Sequence, residues 1–392
     1  MRIIVIGAGI GGTTAALAMA RLGHDVVVFD QVRENKPVGA ALSLWPNGVQ
    51  VLNWLGLGED VANLGGRMDT MSYREGSTGE SMCRFSLERI TLATGQRPYP
   101  VARADLQAML LDRLEDRVHL GTRVTALAQD ADRVYVTVAD GTIHETDLVI
   151  AADGARSAAR DYVLGAPAHR EYVGYLNING LVPVDDVIGD PSQWTTYVAD
   201  GKRASVMPVA GDRFYFFFDV PQETGAVPAR DEIVPYLRRK FAGWAPGVQR
   251  LIDRVDPGSS LNAVEIWDLP PIRQWVRGRV ALLGDAAHTT APDIGQGACS
   301  ALEDSYVLGT VFATTTLGVT DSLLRYERAR VDRAADLVHR ARRRSAETHA
   351  SDPARTASWY EQLRHEDGTT VIRGILGNMA DSPVLIGAGP LE

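Results

Sequence analysis

The stretch that decides the fold is "RIIVIGAGIGGTTAALAMARLGHDVVVFD", residues 2–30. Its first five residues are an apolar run typical of a buried parallel strand. Gly7, Gly9 and Gly12 follow in the pattern G-x-G-x-x-G, and a helix and a second apolar strand lead to Asp30. These glycines suit a tight turn, a close approach to a pyrophosphate and close helix packing. The stretch therefore predicts a βαβ dinucleotide-binding unit, with phosphates at the helix N-terminus and a ribose at Asp30.

The composition limits what else the protein can be. Its 392 residues are 45% hydrophobic and 23% charged, which is ordinary for a soluble globular protein of two to three domains. The net charge, 40 − 49 = −9, argues against broad nucleic-acid binding. Only Cys83 and Cys299 occur, so neither a disulfide framework nor a thiol-rich metal site is predicted. We find neither a signal peptide nor a long apolar run, and we expect a cytoplasmic protein without a membrane segment.

Two further motifs identify the cofactor. "DLVIAADGARSAAR", residues 147–160, is an apolar strand followed by Asp153 and Gly154. "RGRVALLGDAAHTTAPDIGQGACSALED", residues 277–304, is another strand that leads to Asp285 and to a glycine turn before a helix. The three stretches, in this order, resemble the class A FAD-dependent monooxygenases of the p-hydroxybenzoate hydroxylase fold. No second G-x-G-x-x-G occurs, so NADH, or alternatively NADPH, is expected as a transient co-substrate.

The resemblance covers nearly the whole chain and implies an α/β fold. It consists of a Rossmann-like FAD-binding domain, a mostly antiparallel β-sheet substrate domain and a long C-terminal helix. We predict a discontinuous FAD-binding domain at residues 1–68, 98–165 and 272–320. The substrate domain is predicted at 69–97 and 166–271, and a C-terminal helical region at 321–392.

The resemblance also implies which residues contact FAD. They are Gly7, Gly9, Gly11, Gly12, Asp30, Gln31, Ser43, Arg103, Val124, Asp153, Asp285, Gly295, Gln296, Gly297 and Ala298. Asp285 can accept hydrogen bonds from ribityl hydroxyls, and the helix after Gly295 favours an anionic reduced flavin. A helix-capping role for Asp285 and a plain turn role for Ser43 stay open. We interpret His288 as a structural histidine.

The segment between the second and third motifs predicts an antiparallel sheet. "WTTYVAD", "KRASVMPV" and "DRFYFFFDVP" are β-branched and aromatic, and turn signals at residues 200–201 and 210–212 separate them. Strand periodicity places Arg203 and Met207 on one face of the sheet. It places Tyr215 and Phe217 on the opposite face from Phe214, Phe216 and Phe218. Spacing alone leaves two alternatives for Arg203, which either points to water or faces a ligand.

The same segment narrows the resemblance. "NING", "QWTTYVADGKRASVMPV", "DRFYFFFDVP" and "PDIGQG" are similar to the FAD-dependent urate hydroxylases of bacterial purine breakdown. This likeness implies that Asn177, Arg203, Tyr215 and Asp293 meet urate, with Arg203 as counter-ion and Asp293 and Tyr215 orienting or polarising the purine. It implies conversion of urate, NADH and O2 to 5-hydroxyisourate, NAD and water through a flavin C4a-hydroperoxide.

Two other functions stay open at this point. One is a class A hydroxylase of a phenolic acid such as salicylate or 3-hydroxybenzoate, whose substrates are also planar anions. The other is a flavoprotein that binds FAD as a structural or sensing module.

The C-terminal part of the chain predicts a long amphipathic helix within residues 321–348. We interpret Arg340, Arg342, Arg343 and Arg344 as a solvated helical face. Residues 350–392 are expected to pack over the FAD-binding domain or a partner subunit. The sequence does not predict the oligomeric state.

Overall fold

The protein is described by a computed structural model that covers residues 1–34, 40–258 and 261–385. Residues 35–39 and 259–260 of the predicted FAD-binding and substrate domains lie outside the described residues. The same holds for residues 386–392 of the predicted C-terminal region.

A mostly parallel sheet is built around the first strand of the chain. Among the described residues it has six strands, in the order β17-β18-β11-β1-β2-β7. They are β1 (Arg2–Ile6), β2 (Asp25–Asp30), β7 (Val118–Leu120), β11 (Leu148–Ala151), β17 (Val276–Arg277) and β18 (Val280–Leu282). Only β17 and β18 pair antiparallel. Ile3, Ile4 and Val5 are fully buried, as expected for a strand covered on both faces.

A second, larger sheet carries the aromatic strands. In the described chain its order is β16-β12-β15-β14-β13-β4-β5, and only β13 and β4 pair parallel. The strands are β4 (Thr70–Glu75), β5 (Ser81–Ser86), β12 (Glu171–Pro183), β13 (Gln193–Ala199), β14 (Lys202–Val209), β15 (Arg213–Pro221) and β16 (Asn262–Asp268). Asp200 and Gly201 turn with positive φ between β13 and β14, as the hairpin signal predicts.

Smaller sheets and helices complete the fold. The small sheets comprise β8 (Val124–Gln129), β9 (Val134–Val138) and β10 (Ile143–Thr146), and the pair β3 (Ala41–Leu44) and β6 (Tyr99–Ala102). The helices are α1 (Ile10–Arg21), α2 (Pro46–Trp54), α3 (Gly58–Leu64), α4 (Glu88–Thr94), α5 (Arg103–Asp112), α6 (Ala158–Leu164), α7 (Ile233–Lys240), α8 (Pro246–Arg254), α9 (Asp285–His288), α10 (Gly297–Thr314), α11 (Val319–Thr348), α12 (Pro353–Arg364) and α13 (Thr369–Gly377).

The fold class is as predicted, with the long C-terminal helix at α11. The proposed domain boundaries stay a prediction, although β4 and β5 do join the same sheet as β12–β16. No helix in the described ranges is both long and apolar enough to cross a membrane.

The segment after residue 350 contacts both predicted domains. Ser382 donates to Glu303 of α10, in the predicted FAD-binding domain, at 2.7 Å, which agrees with the expected packing. Helix α12 packs against β5, and α13 packs against α4. Their apolar side chains, including Trp359 and Ile372, join a cluster with Met71, Tyr73 and Phe85 of the larger sheet. The segment therefore also covers part of the predicted substrate sheet, because its apolar residues bury Met71, Tyr73 and Phe85.

Candidate active site

One large cavity lies between the two main sheets. Its volume is about 720 Å³, within the usual range for small-molecule and cofactor sites. Residues after β1, β11 and β18 form one wall, and β12–β15 form the opposite wall. The carboxyl ends of adjacent parallel strands are where ligands bind in open α/β sheets.

The glycine turn after β1 has two physically different kinds of glycine. A Cβ added at Gly12 would lie 1.9 Å from the carbonyl oxygen of Gly7, so this position serves close packing. A Cβ added at Gly9 would meet no described atom within 4 Å, and it would project into the cavity that Gly9 lines. The open cradle at Gly9, next to the N-terminus of α1, fits a diphosphate group.

The opposite end of the cavity meets the N-terminus of α10. Gly295, Gly297 and Ala298 line the cavity there, and the first turn of α10 carries no acidic residue. The positive helix end is therefore not neutralised by its own side chains, and it suits an anionic reduced flavin ring. The Trp45 indole Nε1, also at this end, is buried without a hydrogen-bond partner among the described residues. The donor chemistry and the glycine cradle fit FAD.

Most of the predicted cofactor residues lie at the cavity. Those that line it are Gly9, Gly11, Gly12, Ser43, Arg103, Asp285, Gly295, Gly297 and Ala298. Asp285 is exposed between buried neighbours, so its carboxylate is accessible for hydroxyl groups. Asp285 does not cap α9, because Gly284 is the N-cap residue and no side chain caps this helix in the described structure.

The other predicted cofactor residues do not line the cavity: Gly7, Asp30, Gln31, Val124, Asp153 and Gln296. Asp30 accepts hydrogen bonds from the backbone N–H groups of Ala8 and Val32, and Gln296 accepts one from Asn47. These two residues support the turns behind the cavity. Direct contact of any residue in this group with FAD stays a prediction.

A buried ion network supports the flavin end of the cavity. Arg330 of α11 is fully buried and donates to Glu303 at 2.8 Å and to Asp304 at 2.7 Å. Asp304 also accepts from the backbone N–H of Gly284 and pairs with His288 at 2.7 Å. His288 is therefore the structural histidine that the sequence suggests. The network ties α10 and α11 to the Gly284–Asp285 turn.

Arg203 faces the cavity and not bulk water. Its side chain is 12% exposed, and it lies across from Asp219 in the β14–β15 register. Its Nε donates to Asp219 Oδ2 at 2.8 Å, and its Nη2 donates to Asp293 Oδ1 at 3.0 Å. Nη2 also lies 2.8 Å from the same Asp219 oxygen. Burial alone would lower the pKa of Arg203, but these two carboxylates offset that effect and raise it above its ordinary value. The guanidinium stays charged and is held in one orientation.

Asp293 is held from three sides. Beside Arg203, the Tyr175 hydroxyl donates to its Oδ2 at 2.8 Å, and the His349 Nε2 lies 3.0 Å from its Oδ1. The His349 Nδ1 lies 3.2 Å from the carbonyl oxygen of Gly201. The His349 Nε2 also lies 3.4 Å from Arg203 Nη2, so the ring is in contact with both Asp293 and Arg203. Arg203 is thus held between two buried carboxylates, Asp219 and Asp293, with Tyr175 and His349 completing the contacts of Asp293.

Sequence reasoning missed Asp219, Tyr175 and His349. Asp219 had a usable signal, since it is the one acidic residue within the strand "RFYFFFDVP". It lies opposite both Asn177 and Arg203 in the sheet register. His349 had none, because it reaches the sheet only through the packing of Gly201 against the end of α11.

Three polar atoms at this end of the cavity remain available to a ligand. Within the described chain, nothing accepts from Arg203 Nη1 or bonds the Tyr215 hydroxyl. Asn177 donates to Asp219 at 2.7 Å and accepts from Asn179 at 2.7 Å, which leaves one amide N–H. The surrounding walls are apolar and aromatic, with Met71, Tyr73, Trp194, Met207 and Phe217. The arrangement suits a flat ligand with several hydrogen-bond acceptors.

The buried carboxylates predict a pH dependence of stability. Burial alone would raise the pKa values of Asp293 and Asp304, but the neighbouring histidine and arginine of each lower them to about 2. Because the folded pKa lies below the unfolded value of about 4, each pair stabilises the fold above pH 4, by about 2 kcal/mol. We expect the thermal midpoint to fall steeply between pH 4 and pH 2. A profile already falling between pH 6 and pH 5, in the absence of added ligand, would contradict this assignment.

The glycine cradle gives a second prediction, on cofactor affinity. Gly9→Ala is expected to weaken FAD binding about tenfold to hundredfold, because an added methyl in a close-packed contact costs about 1–3 kcal/mol. The apoprotein should unfold as the wild type does, since the methyl meets only open space. Fluorescence titration of apoprotein with FAD measures the effect. Gly318→Ala, at another open glycine away from the cavity, is the matched control. Equal FAD affinity in both variants would contradict the cradle.

Comparisons with known proteins identify the family. A model described as "FAD binding domain" matches residues 1–341. A FAD-dependent urate hydroxylase of Mycolicibacterium vanbaalenii is 53% identical over 98% of both chains. The chain belongs to this family of FAD-dependent hydroxylases. Klebsiella pneumoniae HpxO, solved with FAD and uric acid, superposes with a TM-score of 0.95, at 48% identity over 98% of both chains. A salicylate hydroxylase substrate complex, with a TM-score of 0.74 and 24% identity, shares the fold.

Membership of the FAD-dependent hydroxylases confirms the predicted cofactor and enzyme class. It also removes the structural or sensing flavoprotein as an alternative, because the likeness to hydroxylases covers the whole chain. The individual contacts of the site residues remain proposals.

Proposed function

We propose that this hydroxylase acts on urate, converting urate, NADH and O2 to 5-hydroxyisourate, NAD+ and water. The observation that carries the proposal is the polar group of Arg203, Asn177 and Tyr215 set in an apolar aromatic wall. Relatives named as urate hydroxylases, and the likeness to HpxO solved with uric acid, support it. A cytoplasmic location belongs to the proposal, because the enzyme draws on the cell's NADH.

The three polar atoms suit the edge of urate. The carbonyl oxygens and the anionic ring of urate can accept from Arg203 Nη1, from the Asn177 amide and from the Tyr215 hydroxyl. Burial raises the pKa of Tyr215 above its ordinary value, with Asp219 adding to the effect, so the hydroxyl stays protonated and can donate. Phe217 and Met207 are available to cover the ring faces.

Arg203 acts on urate as an oriented donor more than as a lone counter-ion. Its charge is balanced by Asp219, and its free Nη1 is fixed because the other nitrogens are engaged. Asp293 then works through Arg203 as a positioning residue, since its side chain is fully buried and both oxygens are occupied. This refines the expectation that Asp293 polarises urate itself.

The cofactor would be held by the Gly9–Gly12 turn, Arg103, Asp285 and the N-terminus of α10. FAD, when bound, supplies the chemistry that takes a hydride from NADH and activates dioxygen for transfer to urate. The chain's own contribution is to orient C5 of the electron-rich purine towards the flavin and to exclude water with the apolar wall.

A substrate panel tests the proposal. NADH oxidation by the FAD-loaded protein is expected to accelerate with urate, and to respond weakly to salicylate, 3-hydroxybenzoate and xanthine. Loss of urate absorbance should accompany the acceleration. Faster NADH oxidation with a phenolic acid than with urate would favour the phenolic-acid hydroxylase instead. The same panel with NADPH shows which nicotinamide nucleotide the enzyme prefers.

A further inference from the structure

Several arginines of the two C-terminal helices α11 and α12 line the cavity. They are Arg340, Arg343 and Arg344 of α11 and Arg355 of α12. Arg343 and Arg355 are exposed while they line the cavity, which places them at its opening to solvent. We refer to these four residues as the arginine rim.

The rim refines the interpretation of residues 340–344 as a solvated helical face. Arg343 is exposed as predicted, whereas Arg340, Arg342 and Arg344 are half-buried. Arg342 is engaged elsewhere, because it pairs with Asp268 at 2.6 Å and with Glu171 at 2.9 Å. The rim arginines turn towards the cavity instead. Helical periodicity produces this division, since residues 340, 343 and 344 share a face that residue 342 does not.

The charges of the rim are only partly balanced. Arg340 pairs with Asp336 at 2.6 Å, and Arg344 pairs with Glu347 at 2.6 Å. Arg343 and Arg355 have no acidic partner for their side chains in the part of the chain that the structure describes. Like charges at helical spacings of three and four residues are destabilising by themselves. Unpaired guanidinium groups at a cavity opening are the typical recognition element for phosphate groups.

We propose that the arginine rim binds the pyrophosphate of the reduced nicotinamide dinucleotide, with Arg343 and Arg355 as the principal contacts. This inference rests on the proposed function, since it requires a nicotinamide reductant. A pyrophosphate carries two negative charges close together, which matches two unpaired arginines. Urate is a smaller monoanion with diffuse charge, and its proposed partners belong to β12, β14 and β15, not to α11 or α12.

The surface beside the rim suits the rest of a dinucleotide. Val371, Gly374 and Ile375 of α13 line the cavity there, and a Cβ added at Gly374 would meet no described atom within 4 Å. This open, apolar surface can cover a flat heterocyclic ring. The chain has no second glycine-rich Rossmann turn, so a surface site of this kind is consistent with transient binding.

Binding measurements on single and double variants test the rim. Arg343→Gln and Arg355→Gln are each expected to raise the Kd of NADH about tenfold, and the double variant about 50- to 100-fold. The Kd of NADH is obtained from the concentration dependence of anaerobic flavin reduction. The Kd of ADP-ribose, which carries the same pyrophosphate, is measured by calorimetry. The Kd of urate and the limiting reduction rate should not change. Arg328→Gln, at an exposed arginine of α11 outside the cavity, is the matched control.

The outcomes separate the rim from the proposed function. Unchanged affinity for NADH and ADP-ribose in the double variant would overturn the rim, as would a loss confined to urate. If NADH did not reduce the flavin of the wild-type protein in the presence of urate, the proposed function would be contradicted. ADP-ribose binding would still test the rim in that case.

Discussion

Arg203→Gln is expected to lower kcat/KM for urate by about a hundredfold to a thousandfold. The substitution removes the fixed Nη1 donor at the substrate end of the cavity, and a lost preorganised donor of this kind typically costs that much. It also leaves Asp219 and Asp293 buried without their shared cation, which typically costs about 3–5 kcal/mol of stability. Urate loss and NADH consumption, measured together well below the unfolding temperature, give the activity.

A matched substitution separates the two effects of Arg203. Arg203→Lys keeps a positive charge near the carboxylates but removes the planar fork that bonds Asp219 and leaves Nη1 free. We expect it to recover much of the stability and little of the urate turnover. Full urate turnover in Arg203→Gln would contradict the role of Arg203 as donor. Recovery of turnover in proportion to stability would reduce that role to a structural one.

A loss of stability as large as that of Arg203→Gln is expected from Arg330→Met. The side chain is fully buried, and its removal leaves Glu303 with only the Arg333 cation and Asp304 with only His288. Breaking one partner of a buried ion network typically costs about 3–5 kcal/mol. Urea unfolding of the apoprotein measures the loss, with Arg328→Met, at an exposed position of the same helix, as control.

The same substitution should reach the cofactor. Asp304 accepts from the backbone N–H of Gly284, next to Asp285 at the cavity, so a displaced carboxylate loosens that turn. We expect weaker FAD binding together with lower stability in Arg330→Met. A stability loss below about 1 kcal/mol would show that the network is not the support that its burial indicates.

The parts of the fold that depend on local patterns could be predicted from the sequence. The turn at Gly7–Gly12 follows from its glycines, because a Cβ at Gly12 would collide with the carbonyl oxygen of Gly7. The β13–β14 hairpin follows from a two-residue turn with positive φ at Asp200 and Gly201. Strand periodicity then gave the face of Arg203, and the family resemblance was needed to decide that this face meets a ligand.

The rest depends on contacts between distant parts of the chain. His349 meets Asp293 only because the end of α11 packs on the Gly201 turn. Arg343 and Arg355 line one cavity from two different helices. The run "RARRR" does not distinguish the arginine that pairs with Asp268 from those that line the cavity. Sequence periodicity predicts on which face of a helix or strand a residue lies. It does not predict which part of the chain packs against that face.

The stoichiometry of the complete reaction is the decisive measurement for urate hydroxylation. With FAD-loaded protein, urate, NADH and O2, we predict one urate lost and one O2 consumed per NADH oxidised. We also predict 5-hydroxyisourate as the product and no accumulation of hydrogen peroxide. Oxidation of NADH with urate unchanged, and with hydrogen peroxide formed in equal amount, would contradict the proposed function.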